Sequence, residues 1–91
     1  MDNPCPELRV SGTTMPSKLG GAIVNYLKES PKIVILAMGD KAVSIALKGI
    51  IVSQSFLAAS ALEFSLKVGF RSSKENGKEV TAIAYYLTRN W

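Results

Sequence analysis

Hydrophobic positions along this chain change period in a definite order. A short apolar segment at Leu8 to Ser11 is followed by a helical stripe from Pro16 to Glu29 and an unbroken β-rich run from Lys32 to Met38. A second helical stretch, Lys41 to Phe56, leads into two alternating runs joined at Asn76-Gly77. That succession of periods predicts a compact βαβαββ domain.

Each element has its local signal. The stretch Gly12-Thr13-Thr14-Met15-Pro16-Ser17 is turn-rich, and its proline suits the first turn of a helix. Leu19, Ala22, Ile23, Tyr26 and Leu27 then recur at helical spacing while Lys18, Asn25, Lys28 and Glu29 fall elsewhere, which predicts one buried stripe. Gly20 and Gly21 interrupt that stripe at a cost in helix propensity, and point to a neighbouring backbone passing close by. The run Ile33-Val34-Ile35-Leu36-Ala37-Met38 reads as a central strand buried on both faces. Gly39-Asp40 turns into helix two, with Asp40 placed to cap its amides.

Helix two carries the clue to assembly. Val43, Leu47 and Ile50 line one side, and Ile45, Val52 and Phe56 line nearly the opposite one. A helix apolar on two sides needs two partners, its own sheet and something outside, and in a chain this short the outside partner is most simply a second copy. A homodimer through Ile45, Val52 and Phe56 is therefore expected. In the last two strands, Leu62, Phe64, Leu66, Val68 and Phe70 alternate with Glu63, Ser65, Lys67, Gly69 and Arg71. Asn-Gly is the preferred centre of a two-residue primed hairpin turn, so Glu75 should pair with Lys78, Phe70 with Ile83, Val68 with Tyr85 and Leu66 with Leu87. The same register sets Lys67 across from Tyr86 and Arg71 across from Ala82, with Lys74 and Lys78 near the tip, which makes the hairpin a basic arm.

Composition narrows the class. With 91 residues and 47% hydrophobic content, the chain has room for one small globular domain, taken as residues 8–91 after a disordered leader at 1–7. No apolar run reaches the roughly 20 residues of a membrane helix, and the start lacks the layout of a secretory signal, so a soluble protein of the cytoplasm, free or associated with the nucleoid or nucleus, is expected. Cys5, the one cysteine, lies between Pro4 and Pro6 and can neither close an intrachain disulfide nor assemble a metal cluster. The net charge of +4 favours phosphate backbones as partners.

The residues resemble the stage V sporulation protein S family, which belongs with the Alba proteins, a class of chromatin and RNA-binding domains. The resemblance runs from about Leu8 to Leu87. It is carried by Leu8-Arg9-Val10-Ser11, by Pro16 followed by Gly20-Gly21-Ala22-Ile23, by Ala37-Met38-Gly39, by Ala42, Ala46 and Lys48, by Phe56, and by Thr81-Ala82-Ile83. It implies an Alba-like α/β fold of the two-layer α+β kind, two helices packed on a four-stranded mixed sheet, usually dimeric. It also implies nucleic acid held by the loop before helix one, the turn before helix two and the long hairpin. Alba proteins carry lysines in the first of these where this chain has Thr13 and Thr14, and the sporulation family tends to have lysine at the place of Thr13 and arginine at that of Gln54. Lys18, one turn further on, and Lys41, beside the Gly39 turn, are the substitutes on offer.

The expected function is non-catalytic binding of DNA or RNA through phosphates, with Lys18, Lys41, Lys67, Arg71, Lys74 and Lys78 as the cations and Thr13 and Thr14 in the loop. Nothing in the chain offers the side chains of a base-reading helix, and Tyr85 and Tyr86 are too few for a stacking platform. Catalysis lacks its usual parts: there is no histidine, and the acidic residues Asp40, Glu63, Glu75 and Glu79 are scattered. Gly12-Thr13-Thr14 lacks the Gly-Lys-Ser/Thr ending of a phosphate-binding P-loop, although a small anion at the amino end of helix one stays open. No cofactor and no metal are expected. The competing reading is a developmental regulatory module that meets other proteins and not nucleic acid.

Overall fold

The structure is a computed structural model that describes residues 5–91, save the side chain of Glu75. Its elements run β1 (Glu7–Val10), α1 (Pro16–Glu29), β2 (Lys32–Ala37), α2 (Asp40–Ala58), β3 (Phe64–Glu75) and β4 (Lys78–Arg89). The sheet order is β1-β2-β4-β3, with β1 and β2 parallel and the remaining neighbours antiparallel. This is the βαβαββ order with two helices on a four-stranded mixed sheet that the hydrophobic pattern and the resemblance led one to expect. The leader expected over 1–7 lies outside the described residues as far as Pro4, and Glu7 is already the first residue of β1. Pro6 O accepts the Val34 N–H at 2.9 Å.

The hairpin follows the predicted register pair for pair. Asn76 and Gly77 have φ of +52° and +79°, the two positive values that a type I′ turn requires and that Asn-Gly adopts readily. β2 pairs with β4 only from Lys32↔Thr88 to Ala37↔Ile83. The pairs from Arg71↔Ala82 to Glu75↔Lys78 run on beyond it as a two-stranded arm. At about 3.4 Å per residue the overhang is about 17 Å.

Both helices lie on one face of the sheet, where Ile33, Ile35, Tyr85 and Leu87 meet Leu19, Ile23, Leu27, Ile50 and Leu57 in the main core. On the opposite face Val34, Leu36, Ala82 and Ala84 make a second, smaller cluster with Met38 packed on it, so β2 is buried on both sides. The inner side of α2 is made of small residues: Ala42, Ala46, Gly49 and Ser53 are buried with Ile50 and Leu57. These let α1 and α2 approach closely. A Cβ on Gly20 would stand 2.5 Å from Val52 Cγ1, and one on Gly49 would run into the Leu19 side chain. The close approach expected of the paired glycines is thus made by Gly20, while Gly21 has nothing within 4 Å of such an atom.

Two local expectations are corrected. Gly39, with φ of +88°, is the N-cap of α2, and Asp40 is the first helical residue with no side-chain cap made at this end. There its carboxylate acts on the helix dipole instead. At 19 residues α2 is also long and apolar enough to cross a membrane by length and composition, which counting uninterrupted apolar residues had missed. Its small-residue side is packed into the core, and the core helix of a globular domain meets the same criterion.

Candidate nucleic-acid interface

Because β1 and β2 are parallel and in register from Glu7↔Val34 to Val10↔Ala37, the loop before α1 and the turn before α2 leave the same end of the sheet. The arm projects from that end too, since its overhang begins beyond Ile83. Loop and turn touch: a Cβ on Gly12 would stand 3.4 Å from Lys41 Cδ, so the Lys41 stem lies along the loop. The structure therefore brings together, at one end, the three segments that the resemblance singles out.

The loop is shaped by its own hydroxyls. The Ser11 N–H donates to Thr14 Oγ1 at 3.1 Å, the Thr13 N–H donates to Ser11 Oγ at 3.2 Å, and Ser11 Oγ stands 3.0 Å from Thr13 Oγ1 and 3.2 Å from Thr14 Oγ1. Thr13 and Thr14 thus set the loop, and Met15 at the N-cap of α1 makes no side-chain cap. The first turn of α1 contains no acidic residue and exposes Lys18. Free amides, the positive end of the helix and a lysine coincide there, an electrostatic setting that favours an anion.

The arm's cations divide between two faces. Strand alternation puts Lys74 on the side of Phe70, toward the helix layer, and puts Lys67, Arg71 and Lys78 on the other side of the ribbon. Arg71 is engaged: its Nη2 donates to Glu7 Oε2 at 2.9 Å, an ion pair that spans the open face of the sheet from β3 to β1. Lys67 lies level with Tyr86 in the body of the sheet, away from the arm. Gln54 is remote as well, near the far end of α2, where it lines a hollow of about 540 Å³ with Ala58, Ala61, Leu62, Glu63 and Phe64.

The apolar residues expected on the outward side of α2 are placed differently. Val52 packs on Gly20 of α1, and Ile45 packs against the main core, so α1 closes the second apolar side from within the chain. Phe56 is exposed as expected, and Leu47, expected inside, is exposed with Ile51. The wheel misled because Ala42, Ala46, Gly49 and Ser53 take the innermost positions and displace the large side chains to the flanks. A further apolar strip had given no warning: Leu66, Val68 and Phe70 of β3 lie on the helix-facing side and are exposed.

Arg89, which sequence reasoning left aside, and Tyr85 hold the frame. Arg89 Nη1 donates to Leu27 O at 2.8 Å and Lys28 O at 3.1 Å, capping the last carbonyls of α1. Its guanidinium lies 5.7 Å from the ring centre of Trp91, which gives that tryptophan a place. The Tyr85 hydroxyl donates to Val43 O at 2.9 Å, and burial pushes its phenol above the ordinary 10.0. Cys5 is exposed, and desolvation, then the Glu7 carboxylate, raise its thiol above 9.0, which keeps it protonated at neutral pH.

In solved structures the chain is similar to Alba from Thermoplasma volcanium, with a TM-score of 0.52 and 18% identity over 91% of this chain and 99% of that one. At that identity the likeness shows the fold alone, and the fold is Alba-like. The family model described as Stage V sporulation protein S (SpoVS) matches residues 6–90. This chain therefore belongs to the stage V sporulation protein S family, built on an Alba-like fold.

Proposed function

We propose that this protein is a non-catalytic, dimeric architectural or regulatory factor that binds DNA or RNA through phosphates with little sequence preference, in the cytoplasm or on the nucleoid. The observation that carries this reading is the convergence at one end of the sheet of the Ser11 to Met15 loop, Lys41 and the basic arm. Lys18, Lys41, Lys74 and Lys78 are its phosphate contacts, Arg71 adds a contact where phosphate replaces Glu7, and the uncapped amides of α1 add theirs. Lys67 lies back from the arm, level with Tyr86 in the body of the sheet, and is left out of this footprint. Support for a dimer comes from the exposed Leu47 and Ile51 of α2 and Leu66, Val68 and Phe70 of β3, which offer a second copy more apolar surface than the Ile45 and Val52 positions do.

The test is fluorescence anisotropy of the whole chain against duplex DNA, single-stranded DNA and duplex RNA at two salt concentrations. Changing Lys74 and Lys78 together to glutamate should weaken duplex binding uniformly across sequences and flatten the salt slope by about two units. Unchanged affinity would remove the arm from the interface. One observation favours the competing protein-interaction module: the arm's cations lie on two faces and Arg71 is already paired. Absence of binding to any nucleic acid at low salt would decide for that module.

A further inference from the structure

Lys67 is left without a role by the duplex-facing end, and its surroundings suggest one. The face of the sheet turned away from the helices is covered by no helix among the described residues. Within the body of the sheet, strand alternation gives this face Lys32 from β2 and Lys67 and Arg71 from β3, with Glu7 of β1 as the carboxylate among the described strand residues there. That carboxylate is spent on Arg71 at 2.9 Å. Positive charge accordingly remains around the row that crosses the sheet as Val34, Tyr86 and Lys67.

Tyr86 is the aromatic of that row and is 41% exposed, whereas Tyr85 beside it is turned into the core. Lys67 stands directly across from Tyr86, at a Cβ separation of about 5 Å. Lys32 pairs with Thr88, two residues along β4, which makes it the diagonal neighbour of Tyr86 at about 7 Å. An exposed ring between two lysines on a sheet face that no helix covers is complementary to an unpaired base flanked by its phosphates. A duplex, whose bases stack on one another, has no face to offer the ring.

We propose that the open face of the sheet binds a single strand of nucleic acid, one base stacked on Tyr86 and the neighbouring phosphates held by Lys67 and Lys32. This rests on the nucleic-acid reading above and adds to it a second surface, separate from the duplex-binding end. One stacking position flanked by cations is a smaller thing than a platform of several aromatics, and it gives affinity without base preference.

The experiment titrates the full chain by anisotropy against labelled oligo(dT) of about twelve bases and, in parallel, against a mixed-sequence duplex. Tyr86→Ala should weaken oligo(dT) binding about tenfold and Tyr86→Phe should retain it. Lys32→Glu with Lys67→Glu, on exposed positions where folding is not at stake, should weaken it at least as much and lower its salt slope by about 1.4. Duplex affinity of the two Tyr86 variants should stay within about twofold of wild type, and the double lysine variant, which lowers the net charge of +4 by four, should weaken duplex binding less than it weakens oligo(dT) binding. Oligo(dT) binding that survives Tyr86→Ala, or that fails in Lys74→Glu/Lys78→Glu but not in the open-face variants, overturns the site. Wild-type protein that binds the duplex but not oligo(dT) overturns the site and leaves the proposed function standing; protein that binds neither overturns both.

Discussion

β2 and β3 send the same kind of side chain to the same side of one sheet, with opposite outcomes. Ile33 and Ile35 of β2 are sealed beneath the helices, while Val68 and Phe70 of β3 are 57% and 80% exposed. The helices pack chiefly over β1 and β2 and leave β3, an edge strand, uncovered. Alternation in a sequence tells which side of a sheet a residue faces. Whether anything covers that side is decided by where the helices land, which is a long-range matter.

The largest effect that could break this comparison is at its covered pole. Ile35→Ala should cost about 2–5 kcal/mol in urea unfolding, and Phe70→Ala under about 0.5 kcal/mol in dilute protein, where no second copy is bound. Equal costs would mean that β3 is covered after all. Aspartate at two valines sharpens the point next. Val52→Asp buries a charge against Gly20 of α1 and should unfold or severely loosen the domain, whereas Val68→Asp should leave a folded chain that light scattering finds monomeric if β3 is the dimer surface.

A smaller effect is expected at Tyr85, the covered neighbour of exposed Tyr86. Its raised phenol pKa means that above pH 10 the folded protein holds a proton that the unfolded chain has lost. Stability is therefore whole below pH 10 and falls as pH rises past it. Tyr85→Phe should cost about 1 kcal/mol at neutral pH, through the lost bond to Val43 O, and should reduce that alkaline decline. The smallest change lies where the chain leaves α2 for the uncovered strand. Ala61 has φ of +57°, and the Leu62 N–H donates back to Leu57 O at 3.0 Å, the closing turn that glycine makes without strain. Ala61→Gly should stabilise the domain by about 0.5–1 kcal/mol, read from thermal or urea unfolding.

Much of the frame was legible because its causes are local. Asn76-Gly77 admits one tight turn, the turn sets the register, and the register sets every pair from Phe64↔Arg89 to Glu75↔Lys78. Pro16 and Ser30-Pro31 bracket α1 within a residue. The faces of α2 were less legible, since a wheel ranks positions by side-chain size and this helix buries its smallest ones. Of the candidate site, the meeting of loop, turn and arm followed from the order of the strands. The Glu7–Arg71 ion pair did not: its members are 64 residues apart and on opposite edges of the sheet, and no spacing announces them.

The strand order has one more consequence, for the birth of the domain on the ribosome. β4 is the last strand to be made, yet it lies between β2 and β3. Until it emerges, β3 has no neighbour to pair with, and α2 has no Tyr85 to hold its Val43 carbonyl. The sheet is therefore complete only when β4, folded back on β3 through the Asn76-Gly77 turn, also pairs with β2.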